Sequence, residues 1–184
     1  MGRRFSTGAL VMLLVAACQT AAATTFTAEI ADQDGKPVQN AVVSLVPDPK
    51  TTMPGASARL LTEKTIDQRL ETFLPIVTIV PRNRRVVFTN SDATTHQVYS
   101  FSPVKQFEIT LARDTSSSPI VFANVGVAAL GCNIHDNMIA YVFVADSPWT
   151  GLTGADGRIV IDEDRKSTRL NSSHLSQSRM PSSA

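Results

Sequence analysis

The stretch Val125-Gly126-Val127-Ala128-Ala129-Leu130-Gly131-Cys132-Asn133-Ile134-His135-Asp136-Asn137-Met138-Ile139-Ala140-Tyr141-Val142-Phe143-Val144 joins two apolar runs through a short polar loop. Each run is too short for an ordinary helix and rich in β-branched residues, so Val125–Leu130 and Ile139–Val144 read as strands. The loop between them carries Cys132, His135 and Met138 at three-residue spacing. A loop this compact lets a thiol, an imidazole and a thioether turn toward one point.

Outward from this stretch the pattern repeats. Phe26–Ile30 alternates, and Asp34-Gly35-Lys36-Pro37 is turn chemistry. Ala41–Val46 is a compact apolar run, followed by a Pro-, Thr-, Gly- and Ser-rich loop over residues 47–58. Ile76–Val80, Arg85–Thr89, His96–Phe101, Phe107–Leu111, Ile120–Ala123 and Arg158–Ile161 read as further short strands. Only Glu63–Phe73 has helical spacing, through Ile66, Leu70 and Phe73, and Pro75 stops it. Short β-branched runs between turn signals predict an all-β sandwich or barrel with one short helical segment.

Both ends look foreign to that fold. Arg3 and Arg4 precede the apolar run Ala9 to Ala17, and Ala21-Ala22-Ala23 then offers a cleavage site, the order of a secretory signal over residues 1–23. Val15-Ala16-Ala17-Cys18 also resembles a bacterial lipobox, with Cys18 as a lipid anchor, although Phe26–Ile30 begins too soon for a usual tether. Residues 166–184 hold seven serines and no periodicity, and read as a disordered, non-native tail. That stretch resembles translated adapter sequence, in which case the natural chain continues differently after about Asp164 and His174 carries no meaning. Between the ends lie about 140 residues, one ordinary domain. The ends take Arg3, Arg4, Lys166, Arg169 and Arg179 from the 17 basic residues and none of the 16 acidic ones, so the core is net acidic. That argues against a nucleic-acid partner. No apolar run approaches the length of a membrane span.

Cys132 is then the core's one cysteine, in a compartment that oxidises thiols. A buried inert thiol is the plain reading, and a metal-bound thiolate is the sharper one. Singly, His96, Cys132 and Met138 would pass for a satisfied histidine, a small core residue and core filler. Jointly, both histidines of the core and its cysteine fall into one pattern, because His96 is the imidazole left to join the loop. Two histidines, one cysteine and a weak axial methionine form the donor set of electron-transfer copper sites. Covalent haem would need Cys-x-x-Cys-His, which is absent. Structural zinc would want more thiolates or histidines and no methionine. A cysteine nucleophile stays open on composition, but it leaves Met138 without a role and exposes the thiol to oxidation. Arg82, Arg84 and Arg85 read as a solvated strand edge.

On these residues the sequence resembles the cupredoxins, the blue copper proteins. The loop is similar to the short loop of amicyanins and pseudoazurins. More closely, Asn90 to His96 and Gly131 to Met138 resemble the Asn-x-Asp-x3-His and Gly-Cys-Asn-Ile-His-Asp-x-Met segments of exported, plastocyanin-like proteins of methylamine utilisation. The resemblance covers about residues 24–165. It implies a Greek-key cupredoxin-like domain over 24–146 and the start of a small flanking β extension over 147–165. It implies one copper ion held by His96, Cys132, His135 and Met138, with His135 as the electron exit, and Asn90 and Asp92 shaping the His96 loop. Gln97 departs from the family, where Asn or Ser often follows the first histidine. The family also continues past the last acidic-Gly turn into another strand, so Arg158–Ile161 is expected to lack its hairpin partner. The turns at Asp34-Gly35 and Asp156-Gly157 are expected to meet in the side sheet.

The function so implied is a periplasmic, monomeric shuttle of single electrons, with no substrate chemistry. Its partners would be a c-type cytochrome or an exported dehydrogenase, meeting a patch around His135 that includes Ile134. The alternatives are a periplasmic copper carrier or buffer without redox cycling, and a metal-free β-sandwich interaction module.

Overall fold

The computed structural model describes residues 25–46 and 63–162. The signal segment with Cys18, the loop beginning at residue 47 and the tail lie outside these residues. Among the described residues thirteen strands follow one another: β1 (Thr25–Glu29), β2 (Val42–Ser44), β3 (Lys64–Gln68), β4 (Phe73–Leu74), β5 (Val77–Pro81), β6 (Arg84–Asn90), β7 (His96–Ser100), β8 (Phe107–Leu111), β9 (Ile120–Phe122), β10 (Gly126–Cys132), β11 (Ile139–Ala145), β12 (Thr150–Leu152) and β13 (Arg158–Asp162). The architecture is all-β, and the described residues contain no helix.

Two sheets form a Greek-key sandwich. One runs β5-β11-β10-β7-β8 and the other β4-β3-β6-β9. The chain leaves β6 in the second sheet, makes β7 and β8 in the first, returns for β9, and comes back for the β10–β11 hairpin. Period-two burial decides what faces inward. Val86, Phe88 and Asn90 of β6 are buried, as are His96, Val98 and Ser100 of β7 and Ala128, Leu130 and Cys132 of β10. These inner faces meet in one core built around Phe73, Phe88, Phe122 and Leu130. The pairs β5–β11 and β3–β6 are parallel, and the other ladders are antiparallel.

The expected helical segment is replaced by β3 and β4. The helical spacing of Ile66, Leu70 and Phe73 is coincidental: Ile66 and Phe73 are fully buried, whereas Leu70 is 76% exposed. Alternation wins locally because Ile66 and Gln68 both point inward from a strand paired with β6. Leu70 and Glu71 then adopt positive φ values of 52° and 53°, which no right-handed helix accommodates.

The N- and C-terminal described segments pair with each other. β1 lies antiparallel to β13, and β2 to β12. Arg158–Ile161 therefore has a partner after all, supplied by the start of the chain. The segments around the two acidic-Gly turns meet, as the Ile30 amide donates to the Gly157 carbonyl at 2.8 Å. Gly157 has φ 72°, and a Cβ there would strike the Ile30 carbonyl and Pro37, so glycine is required at this crossing. Thr153, 3% exposed, ties the layers by donating to the Val38 carbonyl at 2.6 Å and accepting from the Ala41 amide at 2.9 Å.

Candidate metal centre

His96 opens β7 and Cys132 closes β10, and both stand at inward-facing positions of neighbouring strands. The register pairs Cys132 with Val98, which sets the two side chains at the same end of the core. The Nδ1 of His96 lies 3.6 Å from Cys132 Sγ. The loop after β10 returns His135 to the same place: its ring centroid is 5.0 Å from that of His96. The donor atoms of His96, Cys132 and His135 all fall within 4.8 Å of one another.

Met138 is also buried, at 1% exposure, and its amide donates to the His135 carbonyl at 3.1 Å, closing the loop. With Cys132 it lines a concavity of about 690 Å³ that Tyr99, Phe101 and Tyr141 border on the outer side. Cys132 is a free, buried thiol whose sulfur accepts the Ile134 amide at 3.4 Å. Such an amide stabilises negative charge on sulfur.

Each imidazole has a carboxylate at its far nitrogen. His96 is fully buried, and its Nε2 meets Asp92 Oδ2 at 2.8 Å. Asp92 also accepts the Leu70 amide at 2.5 Å and the Glu71 amide at 3.0 Å. Burial opposes its charge, but the Glu71 amide, the His96 ring and the Leu70 amide together outweigh burial and hold its carboxyl below the usual range. An ionised carboxylate accepts only, so the proton of the His96 ring sits on Nε2 and Nδ1 is left as an acceptor. His135 Nε2 lies 3.4 Å from Glu71 Oε1, while its Nδ1 is buried without a hydrogen-bond partner.

Asn90 and Gln97 hold the frame. Asn90, 1% exposed, donates to the carbonyls of Thr94 at 2.8 Å and Leu111 at 2.9 Å, and accepts the Asp92 amide at 2.9 Å. It shapes the loop before His96 as expected, whereas Asp92 does more than shape that loop, since it touches the ring itself. Gln97 accepts from the Asn133 side chain at 3.0 Å, and its carbonyl accepts the Asn133 amide at 3.2 Å. It thus fastens the cysteine loop to β7. Glu71 was not legible as part of the site. Asp92 carried a faint signal, an acid four residues before a histidine.

No family model matches the sequence, and no curated protein does. Among solved structures, the chain is similar to a purple cupredoxin from Nitrosopumilus maritimus, at 20% identity over 45% of this chain and 99% of that one, with a TM-score of 0.41. It is similar to a copper-containing nitrite reductase from Thermus scotoductus SA-01 at 19% identity over 56% of this chain, with a TM-score of 0.43, and spans 25% of that enzyme. An oxidised mutant of amicyanin is 18% identical over 45% of this chain and 82% of its own, with a TM-score of 0.41.

Proposed function

We propose that the chain binds one copper ion through His96, Cys132 and His135, with Met138 as a weak fourth donor, and carries single electrons between redox partners in the periplasm. The observation that carries this reading is the buried, partnerless Nδ1 of His135, set beside the Cys132 thiol and the His96 Nδ1 that meets it. A buried polar atom without a partner costs about 1–3 kcal/mol, and a bound cation removes that cost. The donor set is that of electron-transfer copper: thiolate and thioether suit Cu(I), and imidazole suits both states. Copper bound there would supply a one-electron Cu(II)/Cu(I) couple.

The chain's own residues do the rest. Asp92 fixes the His96 ring, and the two sheets keep water from Cys132, which is 3% exposed. The His135 side chain is 19% exposed and offers the way out. Ile134, 55% exposed, and Leu70, 76% exposed, flank the His135–Glu71 contact and make a small apolar landing for a redox partner. A c-type cytochrome or an exported dehydrogenase fits that role. The resemblance of Asn90–His96 and Gly131–Met138 to methylamine-utilisation proteins favours the dehydrogenase, and Arg3, Arg4 and the apolar run after them support export.

The test is a visible spectrum of the purified chain on adding Cu(II), beside Cys132→Ser. An intense thiolate-to-copper band absent from the variant, with a reversible Cu(II)/Cu(I) couple, is expected. A folded protein without the band refutes the shuttle. Tight Cu(I) uptake with sluggish reoxidation would mark a copper carrier, and no metal uptake an interaction module.

A further inference from the structure

We propose that Asp92 and Glu71 are positioning residues of the metal centre, each holding one imidazole through Nε2, and that together they bias a bound copper toward its oxidised form. The inference rests on the copper reading above.

Asp92 is the keystone of this arrangement. One oxygen accepts the Leu70 amide, and the other accepts the Glu71 amide and meets His96 Nε2. Leu70 and Glu71 sit at positive φ, a backbone region that residues with a Cβ avoid unless neighbours hold them there. The two amide bonds to Asp92 supply that hold. The turn so held carries the Glu71 carboxylate to His135 Nε2, from a distant part of the chain. One mostly enclosed acid thereby orients His96 directly and His135 through Glu71.

The consequence for the rings is a shared tautomer. With a carboxylate at Nε2, the proton stays on that nitrogen, and Nδ1 faces inward unprotonated, with a lone pair able to bind a metal. The two inward Nδ1 atoms are the ones that meet Cys132 Sγ or lack a partner. A carboxylate behind a ligating imidazole raises its basicity, and the added negative charge favours the more highly charged metal ion. Asp92 is nearly buried and 2.8 Å from its ring, whereas Glu71 is half exposed and 3.4 Å from its own. Asp92 therefore has the larger effect.

The experiment has two arms on the full chain. In the copper-free protein, long-range proton–nitrogen NMR of the imidazoles is expected to show both His96 and His135 protonated at Nε2. Glu71→Gln is expected to mix the tautomers of His135 and leave His96 unchanged. In the copper-loaded protein, Asp92→Asn is expected to lower the Cu(II)-to-Cu(I) affinity ratio about tenfold, a rise of about 59 mV in potential for one electron. Glu71→Gln is expected to lower it about threefold. Asp92→Asn also loosens the turn, but Glu71→Gln removes one half-exposed carboxylate, keeps the backbone bonds to Asp92, and keeps the test decisive if the first variant fails to fold. Rings protonated at Nδ1, or a Glu71→Gln protein with unchanged tautomers and potential, overturn the positioning role while copper binding stands. Tautomers as expected in a protein that takes up no copper overturn the copper reading and the proposed bias with it.

Discussion

Asn90→Ala tests whether the His96 loop is held by hydrogen bonds or by packing alone. The wild-type side chain is 1% exposed and makes three bonds of 2.8–2.9 Å. Alanine removes all three and adds no group that replaces them. The Leu111 carbonyl is left buried without this donor, a loss of about 1–3 kcal/mol. The Thr94 carbonyl and the Asp92 amide are only partly enclosed, so water recovers part of their bonds and each loses about 0.5–1 kcal/mol. The sum is about 3 kcal/mol, a fall in melting temperature of about 10 °C for a domain of this size. The assay is denaturant unfolding of the copper-free chain, since a metal bound only to the folded state would mask the loss. Asn124→Ala is the control, because that side chain is exposed and makes one bond of 3.4 Å to the Val104 carbonyl. It should cost less than about 0.5 kcal/mol. Equal losses at the two positions would refute the reasoning, and so would an Asn90→Ala loss below about 1 kcal/mol.

Three further outcomes are expected. Asp92 has a lowered carboxyl value when folded, so its stabilisation is present in full above the unfolded value of about 3.9 and is lost as pH falls through the folded value. In the copper-free protein, Asp92→Asn should therefore lie well below wild type at neutral pH and converge with it in acid; a constant gap in pH-dependent unfolding would contradict a carboxylate held ionised by its hydrogen bonds. Gly157→Ala should cost more than Gly35→Ala: both glycines have positive φ, worth about 1–2 kcal/mol, but a Cβ meets the Ile30 carbonyl at Gly157 and nothing at Gly35. Paired thermal melts would check the order. Phe88→Ala should lose about 3–5 kcal/mol, as a fully buried core ring lying tilted at 5.4 Å from Phe107. A loss under about 1 kcal/mol in denaturant unfolding would mean the core is not packed as described.

Most of the strands were readable, because burial between two sheets imposes alternation that each strand displays by itself. His96–Ser100 and Ile139–Ala145 differ from the expected runs by a residue at one end. Glu63–Phe73 misled because three apolar residues at helical spacing carry no record of which will be buried. Leu70 lies outside the core only because Asp92, some twenty residues later, holds its amide in a left-handed turn.

The same division runs through the site. Cys132, His135 and Met138 share one short loop, so their spacing already pointed to a common site, and the structure brings the Cys132 thiol and the His135 imidazole together. His96 could be joined to them by chemistry, as the remaining imidazole of the core. The role of Asp92 at the ring, the reach of Glu71 to His135 and the pairing of β1 with β13 belong to the tertiary structure. Each is a contact between residues whose local sequence is satisfied without it. Periodicity and loop spacing are properties of neighbours along the chain. Which carboxylate faces which imidazole, and which edge strand finds which, depends on how the two sheets and the side layer close on each other.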